Sequence, residues 1–284
     1  MKLSYTIEDI EQWRDRVHRR LPHRAVRTKH QAIQFISEVG FCFAFRAEDS
    51  ELPCLWDAAC GQRRPVQPMR NHLDPSGSFI REMKRVLPLE GKAFYGNVFR
   101  RRPTIISTEF FPHFYALSQR TGSDEDYLNE YKNGKLSVTG KMIMEVLSDV
   151  SPQSTRALRT AVGNRFRSSQ REFDKGMIEL QTKFHIVGAA RSSSPLMFEW
   201  NTVDNAFPRL VRRARNISPS MARRVILQKY FENQLIGSVR TIHHLFGWKK
   251  QVIYEVLGHL VKDGIITGSV TLDGDGSAHY CLVA

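Results

Sequence analysis

At 284 residues the chain exceeds the usual span of one compact domain and predicts two or three, with ample length for buried cores. A hydrophobic content of 41% with 25% charged residues fits an ordinary soluble globular protein, and no run approaches the roughly 20 apolar residues of a membrane span. Lys and Arg outnumber Asp and Glu by 42 to 29, a formal charge of +13 that suits a polyanionic partner.

The opening MKLSYTIEDIEQWRDRVHRR is too charged to hold a signal peptide's apolar core, so the expected location is cytoplasmic and nucleoid-associated. Residues 1–122 are the least legible part, predicted as an N-terminal winged-helix-like region. IEDIEQWRDRVHRRL, KHQAIQFISEV and SFIREMKRVL read as helices, and FCFAF and TIISTEFF as strands. The alternating Phe41, Phe43 and Phe45 predict one buried strand face. Cys42, Cys54, Cys60 and Cys281 lack Cys-x-x-Cys spacing, which argues against both a zinc knuckle and a disulfide framework. No metal or other cofactor is implied.

EDYLNEYKNGKLS, from Glu125 to Ser137, predicts a packed helical connector. It leads into a middle winged helix, assigned to residues 123–208. SVTGKMIMEVLSDV supplies its first helix, STRALRTAVG a short second helix closed by Gly163, and QREFDKGMIELQTKFHIVGAA a third helix running into a strand. LMFEWNTVD supplies the returning strand.

The C-terminal winged helix, assigned to residues 209–284, has the clearest punctuation. Ser218 caps a first helix with Pro219 at its first position. Ser238 opens a second, short helix that Gly247 closes. KKQVIYEVLGHLVKDG gives the third, with Val252, Ile253, Val256, Leu257 and Leu260 on one stripe, before two β-prone runs around Asp273-Gly274-Asp275-Gly276. Phe173, Met177, Leu180 and Ile186 repeat the spacing of Ile253, Leu257, Leu260 and Ile266, which argues for a tandem array. The fold class expected is therefore mainly α with small β-hairpins (α+β), arranged as tandem winged helix-turn-helix modules.

Positive charge is concentrated in the C-terminal half: residues 151–284 hold 19 basic and 10 acidic side chains. In the middle module Arg165, Arg167, Arg171 and Lys175 surround the entrance of the third helix, mixed with Asn164, Ser168, Ser169 and Gln170. That mixture suits phosphate positioning with some base readout; a solvated basic face is the alternative. Lys249 and Lys250 open the third helix of the last module, where the helix dipole favours phosphate, yet Glu255, Lys262 and Asp263 beyond them make a mixed surface. Arg100, Arg101 and Arg102, and Arg212 and Arg213 within RLVRRAR, form two denser clusters able to grip a backbone. Phe99, Phe110, Phe111 and Phe114 could stack on unpaired bases or form core. The adjacent His243 and His244 of TIHHLFGWKK point in different directions on a helix and cannot both serve one metal. His113 reads as a packed histidine or a lone acid–base group.

ARRVILQKYFENQLIGSVRTIHHLFGW and RRRPTIISTEFFPHFYAL, with the tandem modules, resemble the AlkZ/YcaQ-type winged-helix DNA glycosylases, and more closely their AlkZ-related relatives. The resemblance implies a DNA-binding protein acting on double-stranded DNA, damaged or intact. Those glycosylases remove alkylated or crosslinked bases and are taken to use a Gln-x-Gln or Gln-x-Asp pair. By residue order that pair would fall here on Phe43 and Phe45, which cannot orient a water or support a cationic sugar. Gln31 and Gln34 have helical spacing and precede the strand. The expected role is accordingly DNA-damage recognition or regulation without the usual catalytic pair. The alternatives are an active glycosylase using a carboxylate among Glu38, Asp49, Glu51 and Asp57, and a protein-docking factor.

Overall fold

A computed structural model of the chain describes residues 4–47, 52–65, 75–123, 125–166, 168–189, 198–272 and 275–283. In chain order the first part holds β1 (Ser4–Tyr5), α1 (Ile7–Val17), α2 (Lys29–Val39), β2 (Phe41–Phe43), α3 (Leu55–Cys60) and α4 (Pro75–Leu89). Then come β3 (Ala93–Asn97), β4 (Pro103–Ser107), α5 (Phe111–Ala116) and α6 (Asp126–Lys132). The third part is α7 (Val138–Asp149), β5 (Gln153–Ser154), α8 (Thr155–Arg165), α9 (Gln170–Thr182), β6 (Ile186–Ala189), β7 (Glu199–Thr202), α10 (Val203–Ala206) and α11 (Pro208–Ala214). The last is α12 (Pro219–Gln234), β8 (Ile236–Gly237), α13 (Val239–Phe246), α14 (Lys250–Lys262), β9 (Ile266–Leu272) and β10 (Asp275–Leu282). The fold is mixed α+β, helix-rich with small sheets.

Two compact units result, one of residues 1–80 with 219–284 and the other of residues 81–218. In the first, α1 is set by a capping box in which Thr6 and Asp9 satisfy each other's backbone N–H groups. It packs on α12: the Trp13 indole donates to the Glu232 carbonyl at 3.0 Å, and His18 Nε2 donates to the Asn233 carbonyl at 2.9 Å. Asn233 in turn donates to the Val39 carbonyl at 2.8 Å, at the end of α2. Burial pushes His18 well below its ordinary range, with Arg20 and Arg14 adding to the shift, so the ring is neutral. Arg20 sits between Glu11 (2.9 Å) and Asp15 (3.0 Å), and Arg63 closes on Asp15 (2.7 Å). These carboxylates compensate a guanidinium that would otherwise be costly to bury.

The expected single buried face of the FCFAF strand needs correction. Phe41, Cys42 and Phe43 are all fully buried, so β2 is covered on both faces. Phe45 lies beyond the strand and rests against the Trp56 ring at 6.1 Å. Farther along, α12, β8, α13, α14, β9 and β10 follow in order, with Ile226, Ile242, Ile253, Leu257, Leu260 and Ile266 buried. The strands run in the order β1-β9-β10-β8, with β1 joining parallel to β9. Asp273 and Gly274, expected at the hairpin turn, lie outside the described residues.

The second unit repeats that order as α7, β5, α8, α9, β6, β7, with strands β5-β7-β6 where the first has β8-β10-β9. Ile143, Leu158, Val162, Phe173, Met177 and Leu180 form one core cluster. Gly163 does not close its helix, contrary to the reading above. α8 runs on to Arg165, because Phe166 continues the ladder to the Val162 carbonyl before the chain becomes extended. Phe111 stacks on Phe94 at 5.1 Å and meets Phe184 edge-on, Phe114 packs tilted against Phe184, and Phe99 and Phe110 are also buried; the four phenylalanines weighed for base stacking are core.

Candidate nucleic-acid interface

The α8–α9 entrance is built by two caps. Ser154 opens α8, and Ser169 opens α9 through a capping box with Glu172. Around it Arg156, Arg159 and Arg165 on α8 and Arg171 and Lys175 on α9 are exposed. Arg167 lies outside the described residues. The cations do not stand alone: Arg165 pairs with Asp149 at 2.8 Å, and Arg159 lies 3.6 Å from Asp174 with its guanidinium over the Phe173 ring. All four partners of these ion pairs are substantially exposed, so each contact contributes less than about 1 kcal/mol and a phosphate can replace the carboxylate.

A second set of cations is carried by the β3–β4 hairpin. Its register runs from Ala93 opposite Ser107 to Asn97 opposite Pro103, which puts Arg100, Arg101 and Arg102 at an exposed tip. Asn97 fixes the hairpin to the end of α9. Its N–H and Nδ2 donate to Gln181 Oε1 at 3.0 and 2.9 Å, and Thr182 Oγ1 donates to its carbonyl at 2.8 Å. Arg101 consequently shares a groove of about 790 Å3 with Lys175 and Lys183, whose lining also includes Glu172, Glu179, Val138, Phe166 and Ile178. Two clusters separated by some 70 positions in the chain thus meet on one face of this unit.

The third cluster is on α11, where Arg209, Arg212 and Arg213 are exposed and Arg215 reaches the Gly122 carbonyl at 3.3 Å. α11 packs on α5, and burial, aided by Arg213, pushes half-buried His113 below its ordinary value. Its Nδ1 has no hydrogen-bond partner among the described residues.

In the other unit Lys249 and Lys250 are exposed at the start of α14, where no side chain caps the helix. Trp248 beside them is held by stacking on Phe246 at 4.7 Å, with the Arg223 guanidinium 6.0 Å from its ring centre. His243 Nδ1 donates to the Trp248 carbonyl at 2.7 Å and so braces the turn, with Gly247 in the left-handed conformation (φ 70°). Among the described residues no group of three or more His, Cys, Asp and Glu is placed to hold a metal.

Of the carboxylates considered for chemistry, Glu38 receives both oxygens' worth of contact from Arg19 at 2.8 Å and one from Gln34 at 2.9 Å. Asp57 is buried 3.9 Å from Arg46, while Asp49 and Glu51 lie outside the described residues. Gln31 is a capping residue, its side chain accepting from the Arg27 and Thr28 N–H groups.

One polar network had no sequence signal. Arg120 donates to Glu130 at 2.8 Å and to the Lys183 and Phe184 carbonyls, and His185 donates to Glu130 at 3.0 Å. It fastens α6 to the α9–β6 corner. Burial alone would raise the Glu130 pKa, but His185 and Arg120 hold it down at about 2.

A helix-rich α+β chain with two copies of one helix–strand–helix–helix–hairpin order is the class of fold defined here. The chain belongs to the AlkZ-related family, whose model matches residues 26–236. Its structure is similar to that of Streptomyces sahachiroi DNA glycosylase AlkZ, with a TM-score of 0.60 and 11% identity over 99% of this chain and 71% of that one. At that identity the likeness concerns the fold. A search of curated protein sequences gives no match.

Proposed function

We propose that this chain is a double-stranded-DNA-binding protein whose two repeated units are winged helices, and that it serves DNA-damage recognition or regulation. The observation that carries the reading is the position of exposed Arg165, Arg171 and Lys175 at the entrance of α9. In the repeated order α9 is the third helix, which in a winged helix meets the major groove. Membership of the AlkZ-related family supports a place in DNA repair. So does the fold likeness to a protein named as a DNA glycosylase.

The reaction is not carried over with the fold. Phe43, one of the two residues where the family's polar pair would fall, is fully buried, and a phenyl ring can neither position water nor stabilise a cationic sugar. DNA as partner places the protein at the nucleoid. Replacing Arg171 and Lys175 together by Ala is expected to weaken duplex binding and to make the slope of log affinity against log salt shallower by about 2, roughly 0.9 per phosphate contact. An unchanged slope in an anisotropy titration refutes this assignment of the contact surface.

A further inference from the structure

Asp174 is an unexpected residue on α9. It is exposed on the second turn of the helix, on a helix pair that also exposes Arg156, Arg159, Arg171 and Lys175, and there a carboxylate opposes the approach of any phosphate. One turn earlier stands Gln170, the first residue of α9. Its Nε2 donates to Asp174 Oδ1 and Oδ2, each at 2.8 Å, the i to i+4 contact of a helix surface. The same carboxylate meets Arg159 from α8: Nη2 lies 3.6 Å from Oδ1, with the guanidinium 5.2 Å from the centre of the Phe173 ring.

An ionised carboxylate only accepts hydrogen bonds, so this contact turns the nitrogen end of the Gln170 amide toward Asp174. A nitrogen equidistant from two oxygens shares one N–H between them, which leaves the second N–H and Oε1 as one donor and one acceptor. In the major groove adenine presents N7 as an acceptor beside its N6 amino donor, the complement of that pair. Guanine presents two acceptors, N7 and O6, one of which would face Oε1. A free glutamine turns its amide over to suit either edge. One tied to a carboxylate does so only by breaking both contacts.

We infer that Gln170 is the base-reading residue of α9, selecting adenine in the major groove, and that Asp174 is its positioning residue. The inference rests on the DNA-binding reading above and adds a named base to it. It also accounts for a carboxylate among cations: Asp174 weakens the attraction for phosphate and fixes the amide that reads the base.

The test is the full chain as wild type, Gln170→Ala and Asp174→Asn, both changes being at exposed positions. Duplexes that wild type selects from a random-sequence pool define its preferred site. Anisotropy titrations at several salt concentrations then compare that duplex with versions in which single A·T pairs are replaced by G·C. The expected result is adenine enriched at a fixed position, whose replacement weakens wild-type binding by about 5- to 100-fold. Gln170→Ala should abolish that difference and leave the salt slope unchanged, because glutamine neutralises no phosphate. Asp174→Asn should shrink the difference as well, yet tighten binding to the replaced duplex, since a charge that repels phosphate is gone. A pool without enriched adenine, or a preference that survives Gln170→Ala, overturns the base contact. A preference unchanged in Asp174→Asn overturns the positioning, and enriched cytosine lost only in Asp174→Asn gives the readout to the carboxylate itself and overturns both. Wild type that binds duplex without base preference defeats this inference alone; wild type that binds no duplex at low salt defeats the DNA-binding reading as well.

Discussion

Glu130→Gln tests how the α9 face is held. The Glu130 side chain is 17% exposed and that of Arg120 5%, so the pair lies largely out of water and is screened little by solvent. Holding the carboxylate ionised down to about pH 2, against an ordinary value of 4.5, corresponds to about 3 kcal/mol of native-state stabilisation at neutral pH. Glutamine keeps one carbonyl acceptor but loses the charge, leaving Arg120 with its two backbone acceptors and no counter-ion. The cost should be about 2–3 kcal/mol, toward the lower end for breaking a buried pair, or a Tm lowered by roughly 5–10 °C. Circular dichroism during thermal or urea unfolding at pH 7 measures it. The sign of the pH dependence is fixed: the contribution is present above pH 4.5 and is lost as pH falls through about 2. The gap between wild type and variant should therefore narrow in acid. A loss below about 1 kcal/mol at pH 7, or a gap that widens in acid, refutes the reasoning.

Buried His18 and His185 are both pushed below their ordinary value of 6.5, chiefly by burial. Their contribution is present above pH 6.5 and is lost as pH falls below it, so unfolding midpoints should decline from about pH 6.5 downward, and His18→Gln should flatten the upper part of that decline. Asn233→Ala removes a buried donor to Val39 and should cost about 1–3 kcal/mol, read as a lower urea midpoint; a neutral outcome would contradict its place between α2 and α12. Gly247→Val imposes a β-branched residue at φ 70° and should destabilise by about 1–2 kcal/mol, whereas Gly247→Asn should cost less.

The helices after Pro219 were legible because their boundaries are local chemistry. Ser238 accepts from the Thr241 N–H, Gly247 is left-handed, and the apolar stripe Ile253, Val256, Leu257, Leu260 is buried as spaced. Gly163 carried the same signal and misled, since a glycine need not take positive φ and Phe166 could still satisfy the helix end. Strand β2 reads as alternating only if one face meets water, and Cys42 shows no such face.

The polar ties were illegible for another reason. His18 and Asn233 stand 215 positions apart, and Asn97 and Gln181 stand 84 apart, with no spacing rule joining either pair. The sequence likewise placed Arg101 and Lys175 in separate clusters, and only the hairpin's attachment to α9 brings them to one groove. Arg100 and Arg101 hid a hairpin turn because they are not the residues such a turn prefers.

The most direct test of the central claim is a titration of wild-type protein and the Arg171→Ala/Lys175→Ala variant against one duplex over a series of salt concentrations. Salt-sensitive binding by wild type, with a slope about 2 shallower in the variant, is the predicted result. Wild-type protein that leaves the duplex free at low salt, or a variant that reproduces the wild-type curve, would contradict it.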